Sequence, residues 1–217
     1  AMQSKSFYQK YQFWLFLLFA VLVHQIPFVS IPFKWLESYF HEISHGMAAL
    51  ISGGSIIQIQ LFPNGAGLCT TRGGWNFLIS YMGYAGASIW GVMIYSVATI
   101  NQRASKIFSL FLLMILGTSI IFWVRDLLTL VIVGFLIFLF VLPFHLKKQK
   151  VVQPLMQLSG MLILLNSVYS PTFLFGHAQK GDSAALFNAT GIPEIFWVFS
   201  WLAIALYGLY WLARRSK

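Results

Sequence analysis

Long apolar runs separated by short polar connections constrain this chain more than any other feature of its sequence. They follow one another from residue 11 to residue 212, and many approach the roughly 20 residues that a bilayer-crossing helix needs. Only 9% of the residues are charged, against about a quarter in soluble domains. The sequence therefore predicts an all-α polytopic membrane protein with six or seven transmembrane helices, and excludes a soluble domain or a disordered chain.

Proline, glycine and charge mark the ends of these runs. We expect a first span over 11–30, ending at Pro32, and a second, shorter helix over 35–51 that stops at Gly53-Gly54. The first run lacks a clean signal-peptide cleavage site and is interpreted as a retained span. Further spans are expected at 75–100, 107–124, 127–146, 152–170 and 193–212, with a short helix at 183–190.

Residues 55–72 differ from the rest of the chain. The segment from residue 55 to 62 alternates apolar and polar residues as a strand does, residues 63–65 (Pro-Asn-Gly) indicate a turn, and 67–72 fit a returning strand. We predict a small β-hairpin after the second helix, with protein covering its edges, because lipid does not tolerate exposed sheet edges. The whole chain, 1–217, is interpreted as one membrane domain.

The net charge of +9 does not indicate a nucleic-acid partner. Lysine and arginine lie between the apolar runs, where such residues snorkel and set topology in the lipid bilayer. Placing the clusters at 147–150 and 214–217 on the cytoplasmic side agrees with the two spans between them, but the sequence does not fix the orientation. The single cysteine, Cys69, excludes a disulfide framework and a cysteine-based zinc site.

The chemistry of the chain centres on residues 41–45, which read His-Glu-Ile-Ser-His. Residues four apart share one face of a helix, so His41 and His45 can both bind one zinc ion. Glu42 lies close enough to take a proton from a water that the ion activates. These ionisable residues lie inside an apolar helix, where they are costly and usually face a cavity or a partner.

A catalytic zinc usually takes three protein ligands, so the third must come from elsewhere. The chain has five acidic residues. Glu42 is the expected base, and Glu194 suits a helix N-terminus. Glu37 lies one turn before His41 on the same face, but a chelate across all three turns would be too long. Asp126, at a break between two spans, and Asp182, in the polar connection before the last span, both remain open as the third ligand.

The other three histidines carry weaker signals. His24 is expected to be a packing residue of the first span, and His145 an interfacial residue beside the lysine cluster. His177 is expected either to be a loop residue or to line the entrance to the site.

A set of motifs extends from about residue 36 to residue 201. It comprises His-Glu-x-x-His-Gly at 41–46, a glycine pair at 53–54, Gly-x-x-x-Thr-Arg-Gly-Gly at 67–74, Gly-Tyr-x-Gly at 83–86, and an aspartate motif followed by Thr-Gly-x-Pro and a tryptophan at 181–197. Together these motifs resemble the site-2 proteases, intramembrane zinc metallopeptidases that cleave transmembrane helices, and most closely their compact B-type branch.

The resemblance implies a zinc cofactor, with His41 and His45 as ligands and Glu42 as the base. In the larger site-2 proteases the third ligand is the aspartate of an Asp-Gly motif, and this sequence has no Asp-Gly pair. Asp182, in the place of the branch's own aspartate motif, is the expected third ligand, with Asp126 as the alternative.

The resemblance also implies how a substrate binds. In such proteases a strand near the site can pair with an unwound substrate and expose its peptide bonds. We assign this edge to 56–61, and the substrate contacts to Ile56, Ile57, Gln58 and Ile59.

The expected function is hydrolysis of peptide bonds in transmembrane protein substrates, in a multi-pass protein of a bacterial inner membrane. Short connections leave no room for a regulatory domain, so regulation is expected from a membrane partner or from substrate trimming. The alternative is a non-catalytic, zinc-containing adaptor that binds client transmembrane helices. Glu42 discriminates between the two, because a structural zinc site needs no base. A metal transporter ranks last, since no chain of ligands runs through successive spans.

Overall fold

The structure is a computed structural model that describes residues 7–145, 148–176 and 181–216. In those residues the chain forms eight α-helices, two short 3-10 segments and a two-stranded antiparallel hairpin. The elements are α1 (Phe7–His24), α2 (Pro27–Ile51), β1 (Ser55–Leu61), β2 (Gly67–Arg72), α3 (Asn76–Ile100), α4 (Gln102–Phe122), α5 (Leu127–His145), α6 (Val152–Tyr169), α7 (Gly181–Thr190) and α8 (Glu194–Arg215), with 3-10 turns at Gln149–Val151 and Ser170–Gly176.

Five long apolar helices account for most of the membrane-crossing part: α3, α4, α5, α6 with the 3-10 turn after it, and α8 are each long and apolar enough to cross a bilayer. Residues 11–24 of α1 and the helix α2 pass the same test only as a pair, and the pair is bent by 111°, as in a broken span or a re-entrant loop. The predicted fold class, a multi-pass helical protein with a small hairpin after the second helix, is confirmed; the six or seven spans expected compare with five, or with six if the bent pair is one span.

The first span breaks earlier than the sequence suggested. The prediction of a helix over 11–30 ending at Pro32 was wrong, since α1 ends at His24 and α2 begins at Pro27. Proline is favourable at the first position of a helix, because its missing N–H would have no intrahelical acceptor there. Pro32 lies inside α2, in its second turn, and therefore neither begins nor ends a helix.

The hairpin lies against the junction of α4 and α5. Its strands pair with Ile59 opposite Cys69 and Leu61 opposite Gly67. On the outer edge of β1, the Ile59 N–H donates to the Trp123 carbonyl at 3.0 Å, and the Leu61 N–H donates to Thr129 Oγ1 at 3.0 Å. Protein therefore covers this edge, as expected for sheet within a membrane protein.

The helix α3 is the centre of the bundle and positions the site. Two glycines allow α3 and α6 to approach closely: a Cβ on Gly160 would lie 2.5 Å from the Tyr95 nitrogen, and one on Gly91 would lie 2.9 Å from the Leu164 nitrogen. Small residues permit such close helix contact in membranes. The other face of α3 packs against α2, so α3 supports the part of that helix that carries the His-Glu-x-x-His motif.

Candidate metal centre

The motif helix α2 presents both histidines to one point. The Nε2 atoms of His41 and His45 lie 3.0 Å apart, as expected for residues separated by one helical turn. His45 is buried, and its Nδ1 donates to the Ile79 carbonyl at 2.6 Å. Since a carbonyl oxygen only accepts, Nδ1 carries the proton and Nε2 keeps its lone pair for a metal.

Asp182 completes a triangle of ligand atoms. It is the second residue of α7, and its Oδ2 lies 3.1 Å from His41 Nε2 and 3.3 Å from His45 Nε2. Ligands around a tetrahedral zinc ion with bonds of about 2.0 Å lie about 3.3 Å from one another. The three donors thus have the chemistry and the spacing that zinc requires, and together they would hold the ion with one position left open.

The charge of Asp182 suits this role. Burial alone would raise the pKa of its carboxyl, but the attraction of His45 and the hydrogen bonds with both imidazoles outweigh burial and lower the pKa below its ordinary value. The side chain is therefore ionised, which is the form that binds metals.

Two residues of α3, Tyr84 and Gly83, enclose the metal centre on one side. The ring of Tyr84 packs edge-on against His41 with the centroids 4.4 Å apart. A Cβ on Gly83 would lie 2.6 Å from His41 Nε2 and closer still to the His45 ring. The absence of a side chain at residue 83 is therefore what leaves space beside the ligand atoms.

Glu42 faces strand β2. Its side chain is 5% exposed, and its carboxylate accepts a hydrogen bond from the Cys69 backbone. A Cβ on Gly67 would lie 2.6 Å from both Cγ and Oε1 of Glu42. The strand therefore fixes the carboxylate beside the two histidines, in a cavity of about 360 Å³ that Asp182 also lines.

The model of the family described as peptidase M50B-like matches residues 14–212. The chain belongs to the M50B-like peptidase family. No curated protein and no solved structure matches the chain. Family membership supports a metallopeptidase, and together with the apolar spans it makes the chain a multi-pass integral membrane protein.

In this M50B-like chain the structure brings Asp182, and not Asp126, to the histidines. Asp126 lies at the start of α5, where its carboxylate accepts hydrogen bonds from the N–H and the hydroxyl of Thr129 at 2.8 Å each. This is a helix-capping arrangement. Asp182, by contrast, lies within α7, which begins at Gly181.

Apart from Glu42, the other acidic residues and histidines that the structure describes contribute no donor atom to the triangle. Glu37 is buried one turn before His41 and accepts from the Ser170 hydroxyl at 3.3 Å. Glu194 opens α8 and accepts from the Ser183 hydroxyl at 2.6 Å. His24 stacks on Tyr169 at 4.6 Å, which agrees with a packing role. His145 is an exposed residue at the end of α5, and His177 lies outside the described residues.

The strand next to the site is β2, whereas the substrate edge was expected on β1, at Ile56, Ile57, Gln58 and Ile59. On β1 the Ile59 N–H is already bonded to the Trp123 carbonyl. Gly67 and Cys69 line the cavity with the histidines. The motif at 67–74 carried a signal for this proximity, but only the packing of the hairpin shows which strand faces Glu42.

Proposed function

We propose that this M50B-like peptidase is a zinc endopeptidase that hydrolyses peptide bonds of transmembrane protein substrates within the membrane, in a bacterial inner membrane. The observation that carries the proposal is the triangle of His41, His45 and Asp182 donor atoms, with separations of 3.0–3.3 Å, beside the buried carboxylate of Glu42. A purely structural metal site would not need a carboxylate fixed beside the open position.

Each residue has a definite part in the reaction. When bound by the three ligands, zinc would polarise the scissile carbonyl and acidify the attacking water. Glu42 takes one proton from that water as its oxygen bonds to the carbonyl carbon. The C–N bond then breaks, and Glu42 returns the proton to the departing amine. The products are one carboxylic acid and one amine, so the step needs only water as co-reactant.

The backbone of β2 is the best candidate for holding the substrate. Along an antiparallel strand, residues whose backbone groups bond the partner strand alternate with residues whose backbone groups point away from it. Cys69 is of the second kind, because its backbone bonds Glu42 and so faces away from β1. Gly67 lies two residues earlier and shares that outer edge. We therefore assign substrate pairing to the edge of 67–71 that faces Glu42, in place of the edge of β1. A substrate must unwind to use it, because a helix keeps its carbonyls in its own hydrogen bonds.

The test compares the wild type with Glu42→Gln on a model transmembrane substrate, with zinc per chain measured in both proteins. We expect about one zinc in each and cleavage only by the wild type, with a rate loss of roughly 10²–10⁴-fold in the variant. Zinc in both proteins with no Glu42-dependent cleavage of any substrate would favour the adaptor. A wild type that binds no zinc after resupply would remove the basis of the proposal.

A further inference from the structure

A groove runs along the outside of the bundle between α3 and α8. The two helices run side by side in the same direction, since α8 contacts the start of α3 through Trp201 and the middle of α3 through Gly208. A Cβ on Gly208 would lie 2.7 Å from the Cγ2 of Val92, so the glycine lets the helices approach closely and leaves the larger side chains around it as walls. The groove has a volume of about 450 Å³ and extends for about 14 Å along α3, from Ser88 to Val97.

The lining of the groove offers a ligand almost no polar group. Its two serines bond to their own helix: Ser88 Oγ donates to the Tyr84 carbonyl at 3.2 Å, and Ser96 Oγ donates to the Val92 carbonyl at 2.6 Å. The other residues that line it are apolar or aromatic, among them Ile89, Met93, Ile204 and Trp211. Since α3 and α8 are both apolar enough to cross a bilayer and Ile89 is 52% exposed, the groove opens to the hydrocarbon of the membrane.

Where α3 and α8 end, the groove continues into a polar pocket of about 430 Å³. Ser96 lines both the groove and the pocket, so the two spaces adjoin. Three helices build the pocket, with Gln12 contributed by α1, Thr99 by α3 and Arg215 by α8. The combined space therefore has an apolar part within the span and a polar part at the end of the span.

Arg215 gives the polar pocket a positive charge. Its guanidinium carbon lies 3.9 Å from the centre of the Trp211 ring, a cation–π contact that holds the planar group while the N–H groups at its edge stay available. Arg214 is exposed beside it and adds a second charge. Among the residues that the structure describes, neither arginine forms an ion pair with a carboxylate. Tyr210 and Trp211 are of the types enriched at the membrane interface, which is where phospholipid head groups lie.

We propose that the groove and the pocket together bind one anionic phospholipid, with an acyl chain in the groove and the phosphate group against Arg215. An arginine can bind a phosphate through two parallel N–H···O bonds, and basic pockets between transmembrane helices bind the head groups of anionic lipids in other membrane proteins. The two parts of such a lipid match the two parts of the space in charge and in order along the span.

The width of the groove favours a lipid over a partner helix. A volume of about 450 Å³ over a length of about 14 Å corresponds to a width of about 6 Å. A helix with its side chains is about 10–12 Å wide, so the groove has room for an extended hydrocarbon chain and not for a helix.

A bound lipid would hold the two ends of the chain together. Because α1, α3 and α8 all line the pocket, the head group would connect the first and last helices to the centre of the bundle. A ligand that binds only the folded protein stabilises it, so anionic lipid should raise the unfolding temperature. This role needs neither zinc nor proteolysis, and it is independent of the proposed function.

Native mass spectrometry of the full-length protein in detergent tests the site, with dioleoylphosphatidylglycerol and dioleoylphosphatidylcholine as probes. The two lipids have the same acyl chains, and only the first carries a net negative charge. We expect one phosphatidylglycerol per chain, bound about 10-fold more tightly than phosphatidylcholine, and Arg215→Gln should bring both lipids to the same affinity because it removes the charge-assisted contact. The matched control is Arg103→Gln, at an exposed position of α4 that lines neither space, and it should keep the wild-type preference.

Several outcomes would overturn the proposal. An unchanged preference in Arg215→Gln would remove the head-group contact, and equal losses in Arg215→Gln and Arg103→Gln would show diffuse attraction to a basic surface in place of a site. Displacement of the lipid by millimolar inorganic phosphate would show that a phosphate alone is bound, without an acyl chain. A second copy of the chain or an added transmembrane peptide that binds in place of the lipid, and is lost in Arg215→Gln, would assign the groove to a protein partner.

A second measurement tests the acyl chain without relying on the arginine. Trp211 lines the groove, so phosphatidylglycerol brominated on its acyl chains should quench a larger fraction of the tryptophan emission in the wild type than in Trp211→Phe. Equal fractions would place the chain elsewhere and overturn the proposal. Ser96→Phe, which fills the junction between groove and pocket, should weaken both lipids, and unchanged binding in a folded Ser96→Phe protein would contradict the shared site.

Discussion

Replacing Gly67 by alanine tests whether β2 positions the catalytic carboxylate. An alanine Cβ there would lie 2.6 Å from Cγ and Oε1 of Glu42 and 2.9 Å from its Cδ. Ordinary contacts begin near 3.4 Å, so the carboxylate must move by about 0.8 Å. A misplacement of about 1 Å in a catalytic group can cost about 10²-fold in rate. We expect a loss of about 10²-fold in kcat, with zinc retained and KM less affected.

The assay follows cleavage of a model transmembrane substrate together with zinc per chain. The matched control is Gly134→Ala in α5, where an added Cβ would meet nothing within 4 Å, and it should keep both activity and zinc. If Gly67→Ala cleaves at the wild-type rate while Glu42→Gln does not, the strand does not restrain the carboxylate and the argument from close approach fails.

Three further predictions concern the metal centre and its surroundings. Gly83→Ala should lower zinc occupancy well below one per chain, because its Cβ would lie 2.6 Å from His41 Nε2; full occupancy measured by atomic absorption would contradict this. Asp182→Asn should lose zinc whereas Asp126→Asn should keep it, and the reverse would move the third ligand to α5. Burial raises the pKa of the Cys69 thiol to about 12, so between pH 7 and 9 it stays protonated and should react with a small maleimide only in denatured protein; fast reaction of folded protein at pH 7 would refute this.

The sequence predicted the parts of the site that depend on local geometry. His41 and His45 converge because one helical turn separates them, and that spacing is visible in the sequence. Asp182 lies far along the chain, so its approach depends on how α7 packs against α3, which no local pattern encodes. Spacing alone left Asp126 open, and it was the resemblance to a family that favoured Asp182.

In the hairpin, too, the sequence predicted local structure but not how that structure packs. Alternation and the Pro-Asn-Gly turn predicted both strands, but the choice of β2 over β1 depends on the α4–α5 junction, which occupies the Ile59 N–H. The break in the first span was misplaced for a different reason. Pro27 and Pro32 are both compatible with a helix end, and only the first begins a helix in the structure.

The three ligands have a consequence for how the protein holds together. Two of them belong to α2, whereas Asp182 belongs to a ten-residue helix bounded by Gly181 and Gly191, both with positive φ. An ion bound by all three would act as a cross-link between the N-terminal and C-terminal parts of the chain, closing a long loop in the manner of a disulfide. Chelation should therefore release α7 from α3, and protease sensitivity near residue 181 would report the state of the centre without any substrate.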